Sequence, residues 1–202
     1  MGRVYPQPVA QASSSSSTSP PPTSQREVFT IWMKSLVLNG NGCTVYDSKG
    51  RLAYRVDNYD CKRADEVYLM DLPGKVLFKI LRRKKLHVLG RWEGYRCSGS
   101  EEQLNPSFRV KKPVRIFSRD APCEVTVFDA DSCCYRIDGV VCKSAYKITD
   151  VRGELVAEMK RKQTASGVVM GDDVLTLVVK PNSDLPLVMA LVVVCGLISH
   201  HI

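Results

Sequence analysis

The chain has 202 residues, 44% hydrophobic and 25% charged, the composition of a folded globular protein with length for one large domain or two small ones. Its net charge of +8, with a pI near 9.1, points to anionic partners, either phospholipid headgroups or nucleic acid. Eight cysteines occur without a Cys-x-x-Cys pair, and three histidines offer no ligand pair at metal spacing, which argues against zinc; no metal or other cofactor is expected. No apolar signal-peptide core precedes the folded region, so the thiols read as reduced, structural and intracellular.

Residues 1–25 carry the run Ser13 to Ser17 and the triplet Pro20 to Pro22. Such a segment cannot bury enough apolar surface to offset its ordering entropy, and a disordered tail is expected. It is also Ser-rich and free of acids until Glu27, which keeps a chloroplast-type transit peptide open. Myristoylation is disfavoured because Pro6 stands where Ser or Thr is wanted.

From residue 26 to 202 the pattern is that of a single domain. Short β-rich runs alternate with turn signals at Asn39 to Gly42, Asp47 to Gly50, Pro73-Gly74 and Asp131 to Cys133. Twelve strands are expected, near 28–37, 43–47, 52–57, 67–71, 75–82, 92–97, 107–111, 122–128, 133–138, 144–150, 154–161 and 174–179. In residues 154–160, Leu155, Ala157 and Met159 alternate with Glu154, Glu158 and Lys160, the mark of a half-buried strand. Lys85 to Gly90 reads as a short turn of helix.

The chain also repeats itself. Val45-Tyr-Asp47, a turn and Tyr54-Arg-Val-Asp57 return as Val127-Phe-Asp129, a turn and Tyr135-Arg-Ile-Asp138. Asp71-Leu-Pro-Gly74, followed by a strand ending in Arg82-Arg83-Lys84, returns as Asp150-Val-Arg-Gly153 followed by Lys160-Arg161-Lys162. Two copies of one β-meander each need cover for an apolar face, and closing them on each other also removes the edges.

The tail, residues 185–198, is uncharged and has no polar face. Ser183 and Asp184 are candidate N-caps, Pro186 suits a first helical turn, and Gly196 with His200 and His201 lies where a helix would end. Such a helix spans roughly 21 Å at ~1.5 Å per residue, short of the ~30 Å hydrocarbon core of a bilayer. Its length favours a buried core helix over a membrane anchor or a buried strand. A twelve-stranded barrel is too wide for wall side chains to fill, and this segment is the candidate plug. The fold expected is therefore mainly β: a closed barrel of about twelve strands, built from two pseudo-repeats around a hydrophobic C-terminal α-helix.

Several blocks occur in order: Val45-Tyr-Asp47 with Gly50 and Tyr54-Arg-Val-Asp57; the strand end Arg82-Arg-Lys-Lys85; Arg91-Trp92-Glu93; Gly171-Asp-Asp-Val174; Val179-Lys-Pro181; Asp184; and Leu187-Val-Met-Ala-Leu191. From about residue 28 to the end this set resembles the plant LURP-one-related proteins. The resemblance implies a twelve-stranded barrel around a central C-terminal helix, shared with the tubby C-terminal domain and the phospholipid scramblases. It also implies a setting in plant defence and an analogy to membrane-tethered transcription regulators that bind phosphoinositides.

The charge runs that suit such a ligand are Arg82, Arg83, Lys84 and Lys85, with Lys160, Arg161 and Lys162 at the matching strand end and Lys111-Lys112 besides. Nucleic-acid phosphates or an import receptor would suit them too, although no stacking aromatics or DNA-binding motif accompany them. Asp129-Ala-Asp131 opens like a calcium loop but lacks the rest of the pattern. Glu101-Glu102 and Asp172-Asp173 read as solvated loop acids, and neither His87 nor the Cys133-Cys134 pair forms a catalytic set. The expectation is a non-enzymatic binding protein for an anionic membrane lipid, cytoplasmic and associated with the plasma membrane or nucleus, with no transmembrane span. A scaffolding or transcription-regulatory protein that binds protein or nucleic acid without lipid stays open beside it.

Overall fold

A computed structural model describes residues 25–33, 42–57, 65–85, 88–98, 101–102, 105–111, 122–128, 133–140, 145–164, 166–171 and 173–198. The Ser/Pro-rich segment 1–24, the turns at 39–41 and 131–132, Cys61, Cys142, Lys112, Asp129, Asp172, His87, His200 and His201 lie outside the described residues, as do the side chains of Lys84, Lys85, Glu101 and Glu102.

Six strands make the first half: β1 (Glu27–Trp32), β2 (Gly42–Tyr46), β3 (Leu52–Asp57), β4 (Glu66–Asp71), β5 (Val76–Lys85) and β6 (Val88–Ser98). A stub, β7 (Glu101–Glu102), folds back on β6. The second half is β8 (Phe108–Lys111), β9 (Cys123–Val127), β10 (Cys134–Val140), β11 (Ala145–Asp150), β12 (Leu155–Arg161) and β13 (Val174–Val179), followed by α1 (Leu185–Ile198). Apart from the stub, each strand pairs antiparallel with its neighbours in sequence, β6 joins β8, and β13 pairs with β1 from Glu27↔Val179 to Trp32↔Val174. The result is a closed up-and-down barrel in which each of the twelve wall strands is paired on both sides.

The internal repeat appears in the register. Tyr54 faces Asp71 across β3 and β4, and Tyr135 faces Asp150 across β10 and β11. Each copy slips its register one pair later, between Leu69 and Met70 and between Ile148 and Thr149. The local cause is the turn that follows. Asp71 and Asp150 each accept a backbone N–H four residues on, from Lys75 (2.8 Å) and Glu154 (2.9 Å), and Gly74 and Gly153 take the left-handed backbone with φ of 90° and 79°. A side chain on either glycine would strain that conformation, so the Asp-x-x-Gly spacing specifies the turn. Asp47 to Gly50 repeats the device.

Inside the barrel, wall residues such as Ile31, Val56, Leu69, Phe78, Ile80, Phe108, Ile148 and Leu177 meet α1, whose residues from Leu187 to Leu197 are all buried. The helix starts as a capping argument requires: Asp184 Oδ1 accepts the Leu187 N–H at 3.1 Å. A helix apolar all round suits a site surrounded by wall, and α1 is the plug. Gly94 is one place where the wall tolerates no side chain. A Cβ there would lie 2.0 Å from the ring of Phe108, which crosses directly over it from β8.

Three expectations are corrected. In place of a helical turn at Lys85 to Gly90, the described residues there are strand: β5 continues to Lys85 and β6 begins at Val88, paired as Lys85↔Val88, because the partner strand offers a ladder that a single helical turn cannot match. Glu101-Glu102 is not plain loop but pairs with Cys97 and Ser98. Gly196 does not end the helix; it is buried within the last turn, and α1 runs to Ile198. No helix among the described residues is long and apolar enough to cross a membrane.

The described cysteines are thiols. Cys43, Cys123 and Cys195 are buried in the core. Burial, with Asp57 nearby, pushes the Cys43 thiol up to about 12, and burial raises Cys195 further. Thiols that stay protonated are slow nucleophiles and poor metal ligands. Alkylation of the native protein, followed by mass spectrometry, is expected to mark Cys134 and to spare Cys43, Cys123 and Cys195 until denaturant is added. A chelator should leave the melting temperature unchanged. Native labelling of Cys195 at the rate of Cys134 would contradict this arrangement.

Candidate anion-binding rim

Antiparallel alternation sorts the barrel's two ends. The Asp-x-x-Gly turns and Asp184 lie at one rim, where α1 enters. At the other rim β5 and β12 end, and α1 terminates there. Both basic runs therefore sit on the same rim. They do not merge, because β5 and β12 are six strands apart around a ring of twelve, on opposite walls.

On the β5 wall the run divides by strand alternation. Arg82 pairs with Trp92 across the ladder, is exposed, and holds its guanidinium 5.7 Å from the buried Trp92 ring. Arg83 lies on the outer face and turns to Glu93. Its Nε donates to Glu93 Oε2 at 3.0 Å and its terminal nitrogen to the Tyr95 hydroxyl at 2.9 Å. Lys84 and Lys85 complete the strand in backbone position.

Glu93 is the centre of a cluster that reading the basic runs missed. It sits on the outer wall yet is only 4% exposed, beneath Arg83, Arg91 and Arg109. Arg91 donates through Nε at 3.1 Å and also through a terminal nitrogen, Arg109 through Nε at 3.2 Å, and the Tyr95 hydroxyl at 3.0 Å. Burial penalises the carboxylate charge, but the bonds from Arg91, Arg83, Tyr95 and Arg109 outweigh it and hold its pKa down at about 2. Three guanidiniums on one carboxylate leave an excess of two positive charges in this cluster, with Lys111 two pairs further along β8. Arg91, Glu93 and Tyr95 alternate along β6 and so share a face, a signal present in the sequence. Arg83 and Arg109 arrive from neighbouring strands by register alone.

On the β12 wall Lys160 lies 3.6 Å from Glu158, Arg161 is exposed at the mouth, and Lys162 Nζ donates to Thr30 Oγ1 at 2.7 Å. Lys160 and Arg161 line a shallow outer depression with Ala145, Gln163, Val169 and Thr176. Of the pair Asp172-Asp173, Asp173 is partly exposed and accepts the Trp32 indole N–H at 3.2 Å.

Comparison with known proteins agrees with this architecture. The sequence profile of the LURP-one-related family matches residues 27–196. LURP-one-related 11 of Arabidopsis thaliana is 43% identical over an alignment covering 98% of this chain and 89% of that protein. LURP-one-related 4 of the same plant is 45% identical, covering 98% and 87%. A crystal structure of an Arabidopsis thaliana protein, 20% identical, superposes with a TM-score of 0.60 over 87% of this chain and 92% of its own, which shows the shared fold. With a twelve-stranded barrel, its helical plug and a family profile spanning both, the chain belongs to the LURP-one-related family.

Proposed function

We propose that this protein is a non-enzymatic binding protein for anionic membrane lipid, a phosphoinositide in the first instance, and that it serves as a membrane-tethered regulator in plant defence. The cell-biological setting rests on the family's analogy to tubby-like and scramblase-like proteins, an associational argument. The observation that carries the lipid reading is the placement of Arg82 to Lys85 and Lys160 to Lys162 on one rim, so that both can face a single planar surface. Two basic patches on opposite walls of one rim match a bilayer better than a small soluble anion, which one patch could hold. The interior, where wide barrels hold ligands, is filled by α1, which supports binding at the rim and not within.

Phosphatidylcholine vesicles containing phosphoinositide provide the test. Binding is expected to fall steeply between low and physiological salt, since exposed charges are screened beyond ~8 Å at 0.15 M. Two triple variants report on the two walls: Arg82→Ala with Lys84→Ala and Lys85→Ala, and Lys160→Ala with Arg161→Ala and Lys162→Ala. Arg83 is kept because Glu93 depends on it. At about 1 kcal/mol per cation, each triple should weaken binding roughly a hundredfold while the fold survives. Unchanged affinity in one folded triple removes that wall from the site. Absence of vesicle binding by the unmodified protein at low salt, with retention of nucleic acid or a protein partner, would replace the lipid reading.

A further inference from the structure

We infer that the hairpin formed by residues 162–164 and 166–170 is a membrane-inserting finger, the apolar returning arm Val168 to Met170 entering the headgroup and acyl boundary while the cations beside it hold anionic headgroups. The inference rests on the lipid reading above and adds the depth and orientation of docking. The ladder of β12 does not stop at the barrel. Met170 N–H donates to Lys162 O at 2.8 Å, Gln163 bridges Val169, and Thr164 N–H donates to Val168 O at 2.9 Å. The turn beyond repeats the barrel's own device with Thr in place of Asp. Thr164 Oγ1 accepts the Val168 N–H at 3.1 Å and Gly167 has a φ of 80°. The excursion is thus a built hairpin.

What it presents is three consecutive apolar side chains, Val168, Val169 and Met170, exposed by 62%, 48% and 40%. A β-hairpin that buried one face would show alternation, and this one shows none. Its flanks are Lys160, Arg161 and Lys162, and Val169 shares the depression with Lys160 and Arg161. Trp32, 39% exposed and bonded to Asp173 at the hairpin's base, adds an amphipathic ring of the kind enriched at bilayer interfaces. An exposed apolar arm and neighbouring cations together are the signature of interfacial binding. Among the described residues the opposite rim has no such consecutive run: its exposed Leu72, Phe128 and Val151 follow the ends of three different strands. A bilayer is the occupant that the exposed apolar run and the cations beside it both fit.

The triple variant Val168→Ser, Val169→Ser and Met170→Ser tests the finger on the same phosphatidylcholine vesicles containing phosphoinositide. The variant should fold with an unchanged melting temperature and bind at least tenfold more weakly, with the remaining binding abolished by salt. A second measurement uses Val169→Trp in a Trp32→Phe background with brominated phospholipid. The emission that the new indole adds to that of the buried Trp92, obtained by difference from Trp32→Phe alone, should shift to the blue and be quenched on vesicles. Full-strength binding by the serine variant, or an unquenched indole on vesicles that still bind, overturns insertion and leaves electrostatic lipid binding standing. Failure of the unmodified protein to bind the vesicles overturns the lipid reading itself, and the finger with it.

Discussion

Truncation before Asp184 is expected to leave no soluble, cooperatively folded domain. The helix buries eight large apolar side chains, Leu187, Val188, Met189, Leu191, Val192, Val193, Val194 and Leu197. At roughly 1.5–3 kcal/mol each they contribute on the order of 12–24 kcal/mol, an upper bound that exceeds the ~5–15 kcal/mol of a whole domain. Without α1 the inward faces of twelve strands would also surround a void or water. Val192→Asp should have the same outcome, because a carboxylate there would be buried among apolar walls with no partner. Leu191→Ala keeps the helix and is graded: a loss of about 2–5 kcal/mol, read as a melting temperature lower by roughly 5–15 °C. A truncated chain that stayed soluble, with an intact β spectrum and a cooperative melt, would show that the barrel stands without its plug.

Replacing Glu93 with Ala is expected to cost about 3–5 kcal/mol, the loss typical of breaking a buried ion pair from one side. The reason is charge balance: Arg83, Arg91 and Arg109 would face one another with no anion between them. High salt should recover part of the loss by screening that repulsion, and sulfate or phosphate more than chloride. The pH dependence has a definite sign. The Glu93 carboxyl titrates near 2 in the folded protein against 4.5 for the ordinary group. Its contribution is therefore fully present above about pH 5 and is lost as the pH falls towards 2. Linkage gives about 3 kcal/mol, reduced to about 2 because the arginines are partly exposed. Melts recorded across that window should show the unmodified protein losing more stability than Glu93→Gln. Parallel curves would mean that the carboxylate is not what the three arginines are held by.

Much of the fold was legible from local chemistry. The Asp-x-x-Gly spacing names three turns because the aspartate must accept from the strand beyond and the glycine must adopt a positive φ. The doubling of that pattern, with basic strand ends at equal distance, exposed the pseudo-repeat. The uncharged run from Leu185 to Ile198 had to be enclosed, and its start was marked by Asp184. The β5–β6 hairpin is not legible in the sequence because residues 85–90 show no strict alternation, and what extends β5 to Lys85 and β6 from Val88 is the opposite strand.

The candidate site divides the same way. Composition and spacing by themselves determined the barrel, its plug and the presence of two basic runs. Only the tertiary structure decided that Arg83 belongs to Glu93, that Arg91 and Arg109 join it, and that the two runs share a rim but not a wall. It also decided that Val168, Val169 and Met170 stand beside Lys160 to Lys162 and remain uncovered. The physical reason is that strand alternation and turn geometry act between residues near in sequence, whereas a cross-strand neighbour is set by register and by closure of the ring. Those depend on how every strand packs at once around the helix, and no local stretch of chain carries that information.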